Sequence, residues 1–212
     1  RDLHNAIRRQ RQMCIRDRYR IGDTYSMLVF DIKPDEFEYA FSFDGPYEPA
    51  KGLLFNEENV LLDPYSRAVT GQRKWGEKPE GGKDFEYRAR VVKSNFDWGN
   101  IKQLEQPFED LVIYETHVRG YTKDKSSGVS APGTFAGLKD KIPYLKDLGI
   151  NAVELMPIFE FDEMESARVV DGVQLYNYWG YNTVSFFAPN TSYAFNEEHN
   201  LSLIHISEPT RH

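Results

Sequence analysis

The tract from Val112 to Met156 sets the tightest limit on what this chain can fold into. Its opening, VIYETHV, is rich in β-branched and aromatic residues. Val112, Tyr114, Thr116 and Val118 fall on one face and Ile113, Glu115 and His117 on the other, the alternation of a strand. Further on, Phe135, Leu138, Ile142, Leu145 and Leu148 recur at helical spacing. Thr134 can cap the start and Gly149 can supply a left-handed stop, which predicts one helix over 135–148. Asn151 to Met156 then reads as a second buried strand. A strand, a helix and a strand joined by a short turn make a right-handed crossover, so the two strands are expected to be parallel, with the helix covering one face of their sheet.

Upstream, from Tyr19 to about Asn100, the pattern is all-β. Tyr25 to Ile32 and Phe37 to Phe43 read as strands, and Phe37, Tyr39, Phe41 and Phe43 alternate with Glu38, Ala40 and Ser42. Four rings on one face could stack on sugar, but a stripe at strand period reads first as the inner face of a sandwich. Asp44-Gly45-Pro46-Tyr47 signals a turn, Pro49 to Asn59 looks irregular, and Pro64 ends any strand running through Val60. Gly76 to Lys83 reads as a polar loop and Phe85 to Val92 as a further strand. Trp75 and Trp98 read as interdomain packing.

Composition excludes several classes. No apolar run approaches the roughly 20 residues that a spanning helix needs, so a membrane partner is not expected. A net charge of -7 argues against a nucleic-acid surface and is indifferent to neutral sugars. The single cysteine, Cys14, permits no internal disulfide and fits a cytoplasmic protein. The first eighteen residues break the pattern with six Arg against two Asp. MCIRDR near the start and SLIHISEPTRH at the end resemble translated sequencing-adapter read-through, so 1–18 and 201–212 are expected to be non-native or disordered.

Four motifs in order carry a resemblance. They are Tyr114-Glu115-Thr116-His117-Val118, Gly133-Thr134-Phe135, Leu145 to Pro157, and Asn177-Tyr178-Trp179-Gly180-Tyr181-Asn182. Together they resemble the start of the catalytic barrel in glycoside hydrolase family 13, in its glycogen-debranching and isoamylase branch. GPYEPAKG and LLDPYSRAVTG resemble the latter part of the β-sandwich module that precedes that barrel. The resemblance implies a multi-domain β plus α/β chain: a partial β-sandwich, like a carbohydrate-binding module, over 19–105, then the first part of a (β/α)8 TIM barrel over 106–200. A whole barrel takes about 250 residues, and roughly 90 are present.

The implied activity is hydrolysis of α-1,6 branch linkages in glycogen or related α-glucans by a retaining mechanism, with no cofactor and no metal. The same architecture serves glycogen-branching and trehalose-releasing enzymes, and a non-catalytic carbohydrate-binding protein is the non-enzyme alternative. No catalytic residue is assigned. In the family the nucleophile, the acid/base and the stabilising carboxylate come from the fourth, fifth and seventh barrel strands, which this sequence does not include, so the chain is expected to be inactive. Glu115 and Glu154 on adjacent strands invite a glycosidase reading, because retaining enzymes place a carboxylate pair about 5 Å apart. They read instead as polar supports, and Glu115 would need a partner such as His117 if it faced inward. Ile158 to Tyr176 reads as a long loop whose Glu160, Asp162, Glu163 and Glu165 are solvated and fit no metal motif. The substrate-binding candidates are Tyr178, Trp179, Tyr181 and Asn182. Rings at a barrel mouth can stack on a pyranose while amides meet its hydroxyls, and by resemblance Tyr181 is the platform under the sugar at the cleavage site.

Overall fold

The computed structural model describes residues 20–22, 24–26, 28, 30, 31, 33, 37–70, 75–77, 87–92, 100 and 105–194. The expectations for both tails, for most of the polar loop after Gly76, for Phe85 and for Trp98 fall outside those residues. The chain divides into two units, Arg1–Lys33 and Pro34–His212. In the first, β1 (Arg20–Ile21) pairs antiparallel with β2 (Thr24–Tyr25), and Gly22 turns the chain between them at φ +62. Of the strand expected over 25–32, Tyr25 alone among the described residues lies in a strand.

The second unit opens with β3 (Glu38–Tyr39) and β4 (Phe41–Glu48), and β4 forms an antiparallel hairpin with β5 (Leu53–Leu61). The turn expected at Asp44–Tyr47 is therefore displaced. Those residues lie inside β4, where Pro46, with no N–H to give a ladder, sits in one of two register shifts. The chain reverses instead through the 3-10 turn Pro49–Lys51, closed by Gly52 at φ +75, so the irregular stretch expected after Pro49 is mostly strand. β6 (Ala68–Val69) and β3 flank β7 (Ala89–Arg90) in a three-stranded sheet. Glu38 on β3 meets Arg88 and Arg90 at 3.1 and 3.2 Å, and the Tyr39 hydroxyl donates to Asp63 at 2.6 Å.

The four rings of Phe37, Tyr39, Phe41 and Phe43 do line up, with successive centroids 6.1, 5.7 and 6.1 Å apart. They are not the expected core: Phe43 is 50% exposed, because no second sheet covers its end of the ladder among the described residues.

The crossover tract is present. β8 (Ile113–Thr116) and β9 (Ala152–Leu155) are parallel, with Glu115 opposite Glu154. Asn151 ties their entry points, since the Val112 N–H donates to its Oδ1 at 2.7 Å and its Nδ2 donates to the Asp110 carbonyl at 2.8 Å. β8 stops at Thr116, and His117 caps α1 (Val118–Thr122) through its ring Nδ1, which accepts from the Gly120 N–H at 3.0 Å. The single helix expected over 135–148 is two, α2 (Phe135–Lys139) and α3 (Ile142–Asp147). Pro143 explains the break: it has no N–H for the Lys139 carbonyl, and its ring crowds that carbonyl. Thr134 caps α2 as expected, accepting from the Gly137 N–H at 3.2 Å. Gly149 at φ +87 ends α3, the Gly149 and Ile150 N–H groups donating back to the Lys146 and Leu145 carbonyls in a Schellman turn.

After β9 the expected long loop is mostly structured. β10 (Phe159–Phe161) is followed by a hairpin of β11 (Arg168–Val170) and β12 (Val173–Leu175), turned by Asp171 and Gly172, both at positive φ. β13 (Thr183–Pro189) then pairs antiparallel with β10, and a 3-10 turn, Thr191–Tyr193, follows. The core of this region is Val118, Phe135, Phe161 and Tyr193, with Trp75, Leu138, Leu155 and Ile158 packed against it.

Candidate functional site

The turn from Asn177 to Asn182 is held from three sides. At its start the Asn177 N–H donates to the Glu163 carbonyl at 2.8 Å, its amide Nδ2 to the Asp162 carbonyl at 3.4 Å, and its Oδ1 accepts from the Gly180 N–H at 3.4 Å. At its middle, Gly180 is buried at φ +75, and an added Cβ would lie 2.5 Å from the Phe161 ring. Only glycine lets the turn sit this close to Phe161. At its end the Asn182 amide donates to Glu165.

Behind the turn, Tyr178 lies flat on His117, with centroids 4.2 Å apart and planes 10° apart. Because His117 Nδ1 already accepts from Gly120, the ring carries its proton on Nε2, which donates to the Tyr178 carbonyl at 2.8 Å. Burial, aided by nearby Arg119 and opposed by the Tyr178 hydrogen bond, lowers the His117 pKa, so the neutral imidazole is the resting form. Trp75 completes the backing. It stacks on Tyr193 at 6.0 Å, meets Tyr178 and Phe161 edge-on, and takes the Arg119 guanidinium 4.5 Å above its ring. Trp75 is thus a packing residue.

Of the four candidate binding residues, the fold brings Trp179, Tyr181 and Asn182 to the surface together. Tyr181 is 72% exposed and Trp179 52%, while Tyr178 is half-buried as their support. The arrangement presents two rings to solvent on a turn whose backbone is fixed, which suits stacking on a flat apolar face.

The carboxylates divide differently from the sequence expectation. Glu115 and Glu154, opposite one another on β8 and β9, are both exposed, and Glu115 makes no ion pair with His117 among the described residues. The acidic stretch after β9 is split: Glu160 and Glu163 are fully buried, not solvated, while Asp162 is partly buried and Glu165 is exposed as expected. Glu160 Oε2 accepts from the Thr191 N–H at 2.8 Å and Glu163 Oε1 contacts the Ser192 hydroxyl at 2.7 Å. Burial above all drives both carboxyls upward, Glu163 to about 7, with the Asp162 charge adding to it and Ser192 and Arg119 opposing it. Among the described residues no group of three His, Cys, Asp or Glu is placed to hold a metal ion, and no helix is long and apolar enough to cross a membrane.

No protein-family model matches the chain. Individual proteins do. Isoamylase 1 of Arabidopsis thaliana, a chloroplastic protein, is 39% identical over 169 residues, 77% of this chain and 22% of its own length. A glycogen debranching enzyme of Yersinia enterocolitica is 35% identical over 194 residues, 84% of this chain and 28% of its own. The chain belongs to the isoamylase and glycogen-debranching branch of glycoside hydrolase family 13. It spans less than a third of the length of the curated relatives it matches. Among solved structures, the pullulanase SAP of Group B Streptococcus superposes with a TM-score of 0.53 at 24% identity, over 69% of this chain and 20% of that one, a likeness of fold.

Sequence reasoning missed three residues that support the turn. His117 pins Tyr178 from a strand end, Arg119 faces Trp75, and Glu163 holds the Asn177 N–H through its backbone. Each acts on a residue distant in the chain, so no local signal in the sequence marks the pairing.

Proposed function

We propose that the chain carries the end of a β-sandwich module over 19–105 and the first part of a TIM barrel over 106–200 of an enzyme that hydrolyses α-1,6 branch linkages in α-glucans by a retaining mechanism. In this reading Tyr181 is the stacking platform beneath a glucose ring, Trp179 flanks it, and the Asn182 amide meets sugar hydroxyls. Tyr178 serves the platform from below. The observation that carries the reading is the pair of exposed rings, Trp179 and Tyr181, on a turn fixed by Asn177, Gly180 and the His117 stack. The parallel β8–β9 crossover and the similarity to named debranching enzymes support it. The lone cysteine fits a reducing compartment, where we place the protein.

The chain itself is expected to bind maltooligosaccharide without hydrolysing it, since the carboxylates that the family uses lie on strands this sequence does not include. Reducing-sugar assays on pullulan and glycogen decide this. No release is expected from the chain. In an enzyme that adds the rest of the barrel, Tyr181→Ala should lower kcat/KM about tenfold or more, because a stack worth about 0.5–1.5 kcal/mol is lost along with the sugar's positioning. Hydrolysis by the chain, or an unchanged kcat/KM in that variant, refutes the assignment.

A further inference from the structure

The Ser192 hydroxyl touches two oxygens at once, Glu163 Oε1 at 2.7 Å and Asn190 Oδ1 at 2.5 Å. Both distances belong to O–H···O hydrogen bonds, and each needs a proton. Ser192 supplies one. Asn190 cannot supply the other by turning its amide nitrogen inward, because its oxygen already accepts from the Ser192 N–H at 2.9 Å. The second proton therefore sits on Glu163. A chain Glu163 to Ser192 to Asn190, each hydroxyl donating to the next oxygen, satisfies every short contact. With Glu163 ionised, the single serine proton must abandon one contact, leaving two oxygens face to face.

Burial supports the neutral form. Glu163 and Asn190 are both 0% exposed, and among the described residues Glu163 Oε2 and Asn190 Nδ2 have no hydrogen-bond partner. A lone ionised carboxylate in such a place is costly. Among the described residues the groups that face it are Glu160 and Asp162 from its own segment, Arg119 from α1, Tyr193 from the 3-10 turn, and Tyr87 ahead of β7. Arg119 is the one cation among them, and its guanidinium is engaged over Trp75.

The geometry points to Glu163 as a proton-bearing positioning residue for the Asn177–Asn182 turn: its carboxyl proton locks the segment whose backbone carbonyl holds Asn177, and loss of that proton loosens the turn. The lock itself stands on the Ser192 contacts. Its consequence for ligand rests on the reading of Trp179 and Tyr181 as a sugar platform.

Carbon-13 NMR of glutamate carboxyls in the full chain tests the lock directly. One carboxyl signal should titrate near neutrality and vanish in Glu163→Gln; if every glutamate titrates in the ordinary range around pH 4–5, the inference is overturned. The Asn177 and Gly180 amide signals should move with that same midpoint in the wild type and stay flat in Glu163→Gln, whose amide can still donate to Ser192. Flat amides beside a titrating Glu163 would remove the positioning role. Ser192→Ala offers a second variant that keeps the carboxyl: the acid still titrates near neutrality, and the two amides cease to follow it. Maltotetraose affinity, measured by calorimetry at about pH 6 and about pH 8.5, should fall several-fold at the higher pH in wild type and hold in Glu163→Gln. Absence of maltotetraose binding at either pH refutes the sugar platform and leaves the carboxyl and amide titrations to decide the lock.

Discussion

Gly180 shows how one position can fix a surface. Its backbone is left-handed and its α-carbon lies against Phe161, so Gly180→Ala adds both backbone strain and a clash with a ring that is itself fully buried. The expected loss is about 2–3 kcal/mol, read as a lower midpoint in urea unfolding with an unchanged slope. An unchanged midpoint would mean that the turn is not packed on Phe161. Tyr178 is the complementary case. Sequence alone groups it with Trp179 and Tyr181 as three rings of one kind, yet its face is already occupied by His117. The type of residue was legible at all three positions. Which ring would be covered was not, because the covering imidazole comes from the far end of another strand.

At the scale of elements, the strand–helix–strand crossover was legible because its signals are local: alternation in β8, the Thr134 cap, the Gly149 stop and the apolar run of β9. The break between α2 and α3 follows from Pro143, which the reading of 135–148 as one helix, made on the regular spacing of Leu138, Ile142 and Leu145, left out of account. Pro143→Ala restores a donor for the Lys139 carbonyl, and the two helices should then merge. Far-UV circular dichroism should show a gain at 222 nm, and an unchanged spectrum would assign the break to tertiary packing instead. The burial of Glu160 and Glu163 had no such signal. An acidic run reads as solvated unless the residues that accept it are known, and here they are Thr191 and Ser192, on a turn reached only after two further hairpin strands and β13.

For the molecule as a whole, buried Glu163 makes stability depend on pH in a definite direction. Its carboxyl is raised from 4.5 to about 7 by burial, so between those values the unfolded chain releases a proton that the folded chain keeps. The contribution is complete below about pH 4.5 and is lost as pH rises through about 7, up to roughly 3 kcal/mol in all. His117, lowered by burial, acts the opposite way on the acid side, so the comparison to make is between wild type and Glu163→Gln. The stability gap between them should narrow, or reverse in favour of the variant, as pH rises from about 5 to about 8. A constant gap across that range would place the carboxyl proton elsewhere.

The stacking of Trp75 on Tyr193 reaches across most of the described chain. Two rings so far apart in sequence meet only after a long loop has closed, and loop closure of that kind comes late and slowly. The indole is therefore a clock as well as a wedge. While the chain is being made, it must wait for every residue between the two rings, and Tyr193 itself, to emerge before it finds its place. Tyr178 and Tyr193, lying edge-on and face-on to it, are close enough to pass excitation to it once they arrive. In a variant that keeps Trp75 as its one tryptophan, emission sensitised by Tyr178 and Tyr193 would rise as these distant segments close on one another.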